Sequence, residues 1–452
     1  MSLVHAKSAL LPEGWAEDVC IDIKDGRIAS VTIGVVPCGQ RVGCLLPAPV
    51  NLHSHTFQRA MAGLTERRSA GQDSFWTWRS LMYRFLDQLT PDDVQAIAAM
   101  AMVEMAEAGF AAVAEFHYLH HGPGGVRYAD LAEMSSRIAA AAAETGLGLT
   151  HLPVLYERGG CDGRALTAGQ RRFGNDPDQF ATLWEAARTS LQSLPADSVL
   201  GVAPHSLRAA SPQGLDMATL MDPLAPLHIH VAEQEAEVAE VLDATGQRPV
   251  AWLLQHHDVG RRWCLIHATQ MTPAETLALA RSGAVAGLCP VTEANLGDGI
   301  FDGQRYLLAG GRFGVGSDSN VRISLTEELR LLEYTQRLSL KGRAILADAD
   351  RSTGRVLFEG AAQGGAQAAG RASGAIAVGL WADLVALDLS GPDLMEARGD
   401  TILDTWIFAR DDRLVTDLWS AGRPLVAAGR HRARDLITRR YAATVLRLRG
   451  AL

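Results

Sequence analysis

The stretch "CLLPAPVNLHSHTFQRAMAGLTE", Cys44 to Glu66, decides the fold. An apolar run ends in two histidines one residue apart. Alternate residues of a strand point the same way, so His53 and His55 can present both imidazoles to one point. Neutral imidazole is a good ligand for zinc or iron. Alone, H-x-H fits two polar residues at a strand end equally well, so the decision rests on whether the pattern recurs. It recurs in "GFAAVAEFHY", "LGLTHLPVLY", "VLGVAPHSL", "LHIHVAEQ", "WCLIHATQ", "VAGLCPVT" and "RFGVGSDSN", with helical patterns such as Asp92–Ala108 between the runs. One short run cannot be told from a buried helix segment. Eight runs in regular alternation with helices predict an α/β fold, a (β/α)8 TIM barrel. Most runs end in ligand-type residues: His53 and His55, His117, His205, His230, His267 and Asp318. The C-terminal ends of the strands are where such barrels carry chemistry.

Outward from the barrel, both chain ends read as short strands and turns. "VCIDIKDGRIASVTIG" alternates about the turn "KDG", a hairpin signal, and "GLWADLVALDL" and "DLWSAGRPLVAAGRHR" look similar near the other end. The expected organisation is a small β-sandwich built from residues 1–46 and 374–452 around a barrel at 47–373.

The chain has 452 residues, 48% hydrophobic and 21% charged, with a formal net charge of -9. That length supports a large core. An acidic chain with scattered charges argues against nucleic acid, which wants a basic face. The N-terminus lacks a basic region followed by an apolar segment, and no run reaches the ~18 apolar residues of a spanning helix. The expectation is a soluble, cytoplasmic protein without a membrane partner. Six cysteines occur without a C-x-x-C pair, so reduced, mostly buried thiols are expected.

H-x-H on the first strand, H-x-x-E (His230, Glu233) on the fifth, His267 on the sixth and Asp318 on the eighth resemble the amidohydrolase superfamily, and within it the mononuclear deaminase branch. The resemblance covers essentially the whole chain, the split sandwich included. It implies a metal held by His53, His55, His230 and Asp318, with Asp318 taking a proton from the attacking water, His267 orienting that water, and Glu233 passing protons to the leaving nitrogen. Read blandly, Glu233 is a carboxylate near a helix N-terminus. Dinuclear members bridge their metals with a carboxylated lysine, often on the fourth strand. Here that run has none, and the only lysines are Lys7, Lys24 and Lys341. One Zn2+ per subunit is expected, with Fe2+ able to accept the same donors. Dimers are common in this superfamily, so a homodimer is expected.

The substrate is written outside the ligand set. Gln58 and Arg59 follow His55; "SFWTWRSLMYR" brings Arg79 and Arg84; the second strand ends in Tyr118, His120 and His121; the fourth ends in His205 and Arg208. Arginine, tyrosine and histidine donors beside a metal suit a small substrate carrying carboxylates. "NLHSHTFQRAMAGLTE", "EFHYLHH", "APHSLRA" and "HIHVAEQ" together resemble the formimidoylglutamate deiminase family. That resemblance implies hydrolytic deimination in histidine degradation, with Gln58, Arg79, Tyr118, His205 and Arg208 binding substrate. Two other readings stay open: a deaminase of the same branch acting on a nucleobase or triazine ring, and a metal-free relative that kept the barrel. The long connection "YERGGCDGRALTAGQRRFGNDPDQF" reads as a lid, a subunit contact or a surface excursion.

Overall fold

The computed structural model describes residues 2–66 and 75–450. The first four strands are β1 (Ser2–Leu11), β2 (Gly14–Lys24), β3 (Arg27–Thr32) and β4 (Gln40–Pro47). β2 and β3 form the expected hairpin. Asp25 and Gly26 at its turn both have positive φ, 52° and 78°. Two such residues in a row give a turn whose twist matches the strands, and the aspartate–glycine pair tolerates it.

The barrel strands are β5 (Val50–Ser54), β6 (Ala112–His117), β7 (Gly148–Leu155), a fourth strand broken into β8 (Val199–Leu200) and β9 (Ala203–Pro204), β10 (Leu227–Val231), β11 (Trp263–His267), β12 (Val285–Leu288) and β13 (Arg312–Val315). Each falls within one of the eight apolar runs. They form two parallel arcs, β5 to β8 with β9 on β7, and β10 to β13. Single bridges close the circle: Val202 to Leu227 and Ser206 to His230 on one side, Ser54 to Asp318 on the other. Helices cover the strands, and several begin at Thr-Pro or Ser-Pro. Thr90 caps the helix Pro91–Glu107 reciprocally with Asp93, and Thr272 does the same with Glu275 for Pro273–Ser282. Proline at the first helical position gives up only an amide that would have no partner.

After the barrel come β14 (Leu384–Leu387), β15 (Val415–Ser420), β16 (Arg423–Ala427) and β17 (Arg430–His431). β14 pairs with β4, so strands from both chain ends share one eight-stranded sheet, in the order β17-β16-β15-β14-β4-β1-β2-β3. This small β-sandwich has its own core, including Val4, Ile21, Leu45, Leu384 and Trp419. The chain therefore has the (β/α)8 barrel with a β-sandwich from both ends.

Two details differ from the sequence reading. The last residues are a helix, Arg434–Arg449, packed on Pro91–Glu107. It buries little beyond Ile437 and Leu448, so its apolar stripe is too thin to read. Cys20 and Cys38 form a disulfide, where reduced thiols are expected; the turn after β3 returns the chain so that Val35 N–H donates to Asp18 and Cys38 lies beside β2. Cys44, Cys161, Cys264 and Cys289 are free. Among the described residues no helix is long and apolar enough to cross a membrane.

Candidate metal centre and active site

His53 lies near the end of β5 and His55 just past it, and the chain leaving β13 brings Asp318 beside them. The backbones are stitched together: Asp318 N–H donates to the His53 carbonyl and His55 N–H to the Asp318 carbonyl, both at 2.9 Å. Behind them lies a buried polar chain. The Asn51 side chain bonds Ser317, Ser317 donates to Asn320, and Asn320 donates to Ser54 at 2.6, 2.6 and 3.1 Å. Asp318 and Asn320 have positive φ, 42° and 54°, as does His267 at 71°. Such strain is held by surrounding contacts and concentrates at functional sites.

Donor atoms of His53, His55, His230 and Asp318 all lie within 4.8 Å of one another, and all four residues are buried. Asp318 Oδ1 is 3.4 Å from His53 Nε2 and 3.2 Å from His55 Nε2. His53 Nε2 and His230 Nε2 face each other at 3.1 Å. The outward nitrogens fix the rings. His55 Nδ1 reaches the Phe116 carbonyl at 2.9 Å and His230 Nδ1 the His205 carbonyl at 3.1 Å. A carbonyl only accepts, so both Nδ1 atoms carry the proton and both Nε2 lone pairs point inward. Burial keeps His53 and His230 neutral: it pushes His53 down to about 3, and His230 well below the usual histidine value, with His53 next in importance. For Asp318 burial opposes ionisation, but the imidazoles of His53 and His55 outweigh it and hold the carboxyl well below the usual range. Three imidazoles and a carboxylate converging on one point fit a divalent metal of the zinc type.

His267 and Glu233 stand beside this set. His267 Nδ1 is 3.2 Å from Glu293 Oε1, and Nε2 points back to Glu233 Oε1 at 3.8 Å and Asp318 Oδ2 at 3.9 Å. Burial opposes the charge on His267, but Glu233, Glu293 and Asp318 together raise it to about 10. Burial, chiefly, pushes Glu233 up to about 7. A carboxyl poised near neutrality can take and give a proton. Glu237 steadies it by accepting from the Glu233 backbone N–H at 3.0 Å.

One cavity opens onto these groups, and Gln58, Arg79, Tyr118, His205 and Arg208 all line it. Gln58 Nε2 donates to the Tyr118 hydroxyl at 2.7 Å, leaving Gln58 Oε1 buried without a partner. Arg79 donates to the hydroxyls of Tyr83 and Tyr156. Arg208 is half-buried, makes no ion pair within 4 Å among the described residues, and its Nε is buried without a hydrogen-bond partner. Other residues from the same segments stay outside the cavity. Arg84 is exposed; His120 bonds the Val154 carbonyl and His121 the Gly174 carbonyl; His117 is buried next to His151.

Several lining residues escape the sequence reading. Tyr83 and Met82 sit in the helix that carries Arg79, and Tyr156 and Phe173 come from the long third connection. That connection is pinned by Arg172, buried, which donates to the carbonyls of Leu86, Leu89 and His121. Glu293 lies in the first turn after β12, where a carboxylate reads as helix capping. Glu115, at the end of β6, accepts from both the N–H and the hydroxyl of Thr56, at 2.8 and 2.7 Å, and so ties the segment after His55.

The chain belongs to the amidohydrolase family, whose sequence profile matches residues 44–425. Residues 1–40 match the N-terminal domain of formimidoylglutamate deiminase HutF. Over 449 residues the chain is 48% identical to the formimidoylglutamate deiminase of Pseudomonas aeruginosa, covering 98% of each. It is 26% identical over 390 residues to a 5-methylthioadenosine/S-adenosylhomocysteine deaminase of Natronomonas pharaonis, covering 83% of this chain and 81% of that one. Among solved structures, an amidohydrolase of Brucella melitensis superposes with a TM-score of 0.96 at 50% identity, covering 99% of this chain and 100% of that one. A zinc-bound adenosine deaminase of Xanthomonas campestris shares the fold, with a TM-score of 0.83 at 21% identity, covering 99% and 98%.

Proposed function

We propose that the chain hydrolyses N-formimidoyl-L-glutamate to N-formyl-L-glutamate and ammonia, the deimination step of histidine degradation. The observation that carries this reading is Arg208: a half-buried guanidinium with no carboxylate within 4 Å among the described residues, facing the cavity beside three imidazoles and an aspartate. A cation partly withdrawn from water favours an anionic partner, and the substrate brings two carboxylates. Near-half identity to a deiminase over the whole chain agrees with it. The ring-deaminase reading is not favoured, because a neutral ring gives Arg208 and Arg79 nothing to bind.

His53, His55, His230 and Asp318 hold one divalent ion, zinc or iron(II). Once bound, such an ion acts as a Lewis acid and makes water nucleophilic at neutral pH. The residues do the rest. Asp318 accepts a proton from the attacking water through Oδ2, and His267 Nε2 orients that water, held by Glu293 behind it. The water oxygen forms a bond to the formimidoyl carbon. Glu233 delivers one proton to the terminal nitrogen as that bond forms; the proton held by Asp318 then passes to the same nitrogen, the hydroxyl proton returns to Glu233 as the formyl C=O forms, the carbon–nitrogen bond breaks, and ammonia leaves. Arg208 and Arg79 clamp the carboxylates, while Gln58, Tyr118 and His205 position the formimidoyl end. The working protein is a cytoplasmic homodimer in this reading.

Ammonia release from N-formimidoyl-L-glutamate, with cytosine, guanine and a triazine in parallel, tests it. Turnover of the linear amidine alone is expected, lost on chelation and restored by Zn2+. Turnover of a ring compound alone would discard the substrate assignment and keep the metal chemistry.

A further inference from the structure

A second set of donors adjoins the first. His267, Cys289 and Asp318, all buried, bring an imidazole nitrogen, a thiol sulfur and a carboxylate oxygen within 4.8 Å of one another. Asp318 faces both sets. Its Oδ1 looks to His53 and His55, at 3.4 and 3.2 Å, while Oδ2 looks to His267 Nε2 at 3.9 Å. A carboxylate placed in this way can give one oxygen to each of two cations. Glu293 occupies Nδ1 of His267, so Nε2 is the nitrogen left to ligate. Glu233 Oε1 lies 3.8 Å from that same nitrogen and supplies a further oxygen. Cys289 ends the run at β12, where its N–H donates to Glu293 Oε1 at 3.0 Å, so the acid that holds His267 also fixes the cysteine backbone. The deimination reaction leaves this thiol unused.

Imidazole, thiolate and carboxylate together select zinc, cadmium or cobalt(II), and sulfur is what the first set lacks. As the metal–sulfur and metal–nitrogen bonds form, the Cys289 S–H and the His267 Nε2–H bonds break and both protons leave to solvent. The carboxylates of Glu233, Glu293 and Asp318 draw a cation to the spot.

We propose that His267, Cys289 and Asp318 form a second divalent-metal site that inhibits the enzyme, filled only by ions in excess of the one held by His53, His55, His230 and Asp318. An ion there takes His267 Nε2 and Asp318 Oδ2, the two atoms that handle the attacking water. The inhibition rests on the function proposed above; the binding does not.

The test starts from holoenzyme carrying one equivalent of Co2+ and adds more Co2+, following bound metal, the near-ultraviolet spectrum and ammonia release together. The one-equivalent protein should be active and show no sulfur-to-cobalt charge-transfer band. A second equivalent should bring that band and a loss of activity in step. Cys289→Ser and Cys289→Ala should keep the first equivalent and its activity and lose the band. They should need at least about tenfold more metal for equal inhibition, since even outer-shell changes weaken metal sites by that much. A wild-type protein that takes up only one ion would overturn the site. So would a band that persists in both variants, which would belong to Cys44, Cys161 or Cys264. A cysteine-dependent band without loss of turnover would support the site and overturn its inhibitory role together with the role given to His267. An inactive protein that still binds a second ion through Cys289 would support the site while removing the proposed activity.

Discussion

At the scale of single residues the proposed reaction divides the site into groups that would meet the substrate and groups that would aim them. Arg208 belongs to the first kind. Replacing it with Met keeps much of the volume and removes the charge. A buried charge pair truncated on one side costs about 2–5 kcal/mol, and each 1.4 kcal/mol is tenfold, so kcat/KM should fall roughly 30- to 3,000-fold with metal content unchanged. A variant with undiminished kcat/KM would mean that the carboxylates bind elsewhere. Glu293 belongs to the second kind. Its Oε1 lies 3.2 Å from His267 Nδ1, and without it the ring can turn or change tautomer. Glu293→Ala should lower kcat about 10- to 100-fold at constant metal content, and Glu293→Gln, whose amide oxygen still accepts from Nδ1, should recover most of it. Equal losses in the two variants would point to a packing role instead. The cavity-lining residues Gln58, Tyr118 and Arg208 were readable because each follows a strand-end motif: Gln58 after H-x-H, Tyr118 after "EFH", Arg208 after "APHS". Glu293, Glu115 and Tyr156 were not. Each is an ordinary residue in its own stretch and meets the site through a neighbour 26 to 77 positions away: Glu293 with His267, Glu115 with Thr56, and Tyr156 with Arg79.

At the scale of elements the barrel was legible because each strand repeats one grammar, an apolar run ending in a polar residue. The break in the fourth strand was not, since "VLGVAPHSL" reads as one run while the structure splits it at Gly201–Val202. The terminal helix was hidden for the opposite reason, having too few apolar residues to show a period. How closely β5 and β13 approach is equally invisible in the sequence, yet it sets the metal geometry. A Cβ on Gly316 would lie 2.6 Å from both the N and the O of His53, closer than real Cβ atoms come to backbone. Gly316→Ala must therefore push β13 away from β5 and separate Asp318 from His53 and His55. A shift of that kind disturbs ligand distances that tolerate about 0.2 Å. The variant should hold zinc at least about tenfold more weakly in competition with a chromophoric chelator. Unchanged zinc affinity would show that the two strands can part without moving the ligands.

At the scale of the whole molecule the question is what fastens the sheet of the two chain ends to the barrel. A buried ion cluster joins them beside a shared apolar core that includes Val385, Val415 and Leu425. Arg371 Nε and Nη2 donate to Asp383 at 2.6 and 2.9 Å, and Nη1 to the Asp197 carbonyl at 2.7 Å. Asp197 in turn accepts two bonds of 2.7 Å from Arg423 on β16. Asp383 also accepts from the Ala421 N–H at 2.7 Å. Barrel, linker and sandwich are thus joined through two arginines and two aspartates, of which only Arg423 is partly exposed. Arg371→Ala leaves both carboxylates buried with half their compensation, and breaking such a pair from one side costs about 3–5 kcal/mol. Urea unfolding at neutral pH should show a loss of that size. The pH dependence follows from the sign of the shift. For Asp197, burial resists ionisation, but Arg423 and Arg371 outweigh it and hold the carboxyl below its usual 3.8. A group depressed in the folded state contributes stability that is complete above its unfolded value and lost as pH falls through the folded one. Wild type should therefore lose its advantage over Arg371→Ala as pH drops below about 4, where Asp197 begins to protonate. A gap between the two proteins that stays constant from about pH 7 to about pH 3 would mean that Arg371 holds the sandwich by packing rather than by charge.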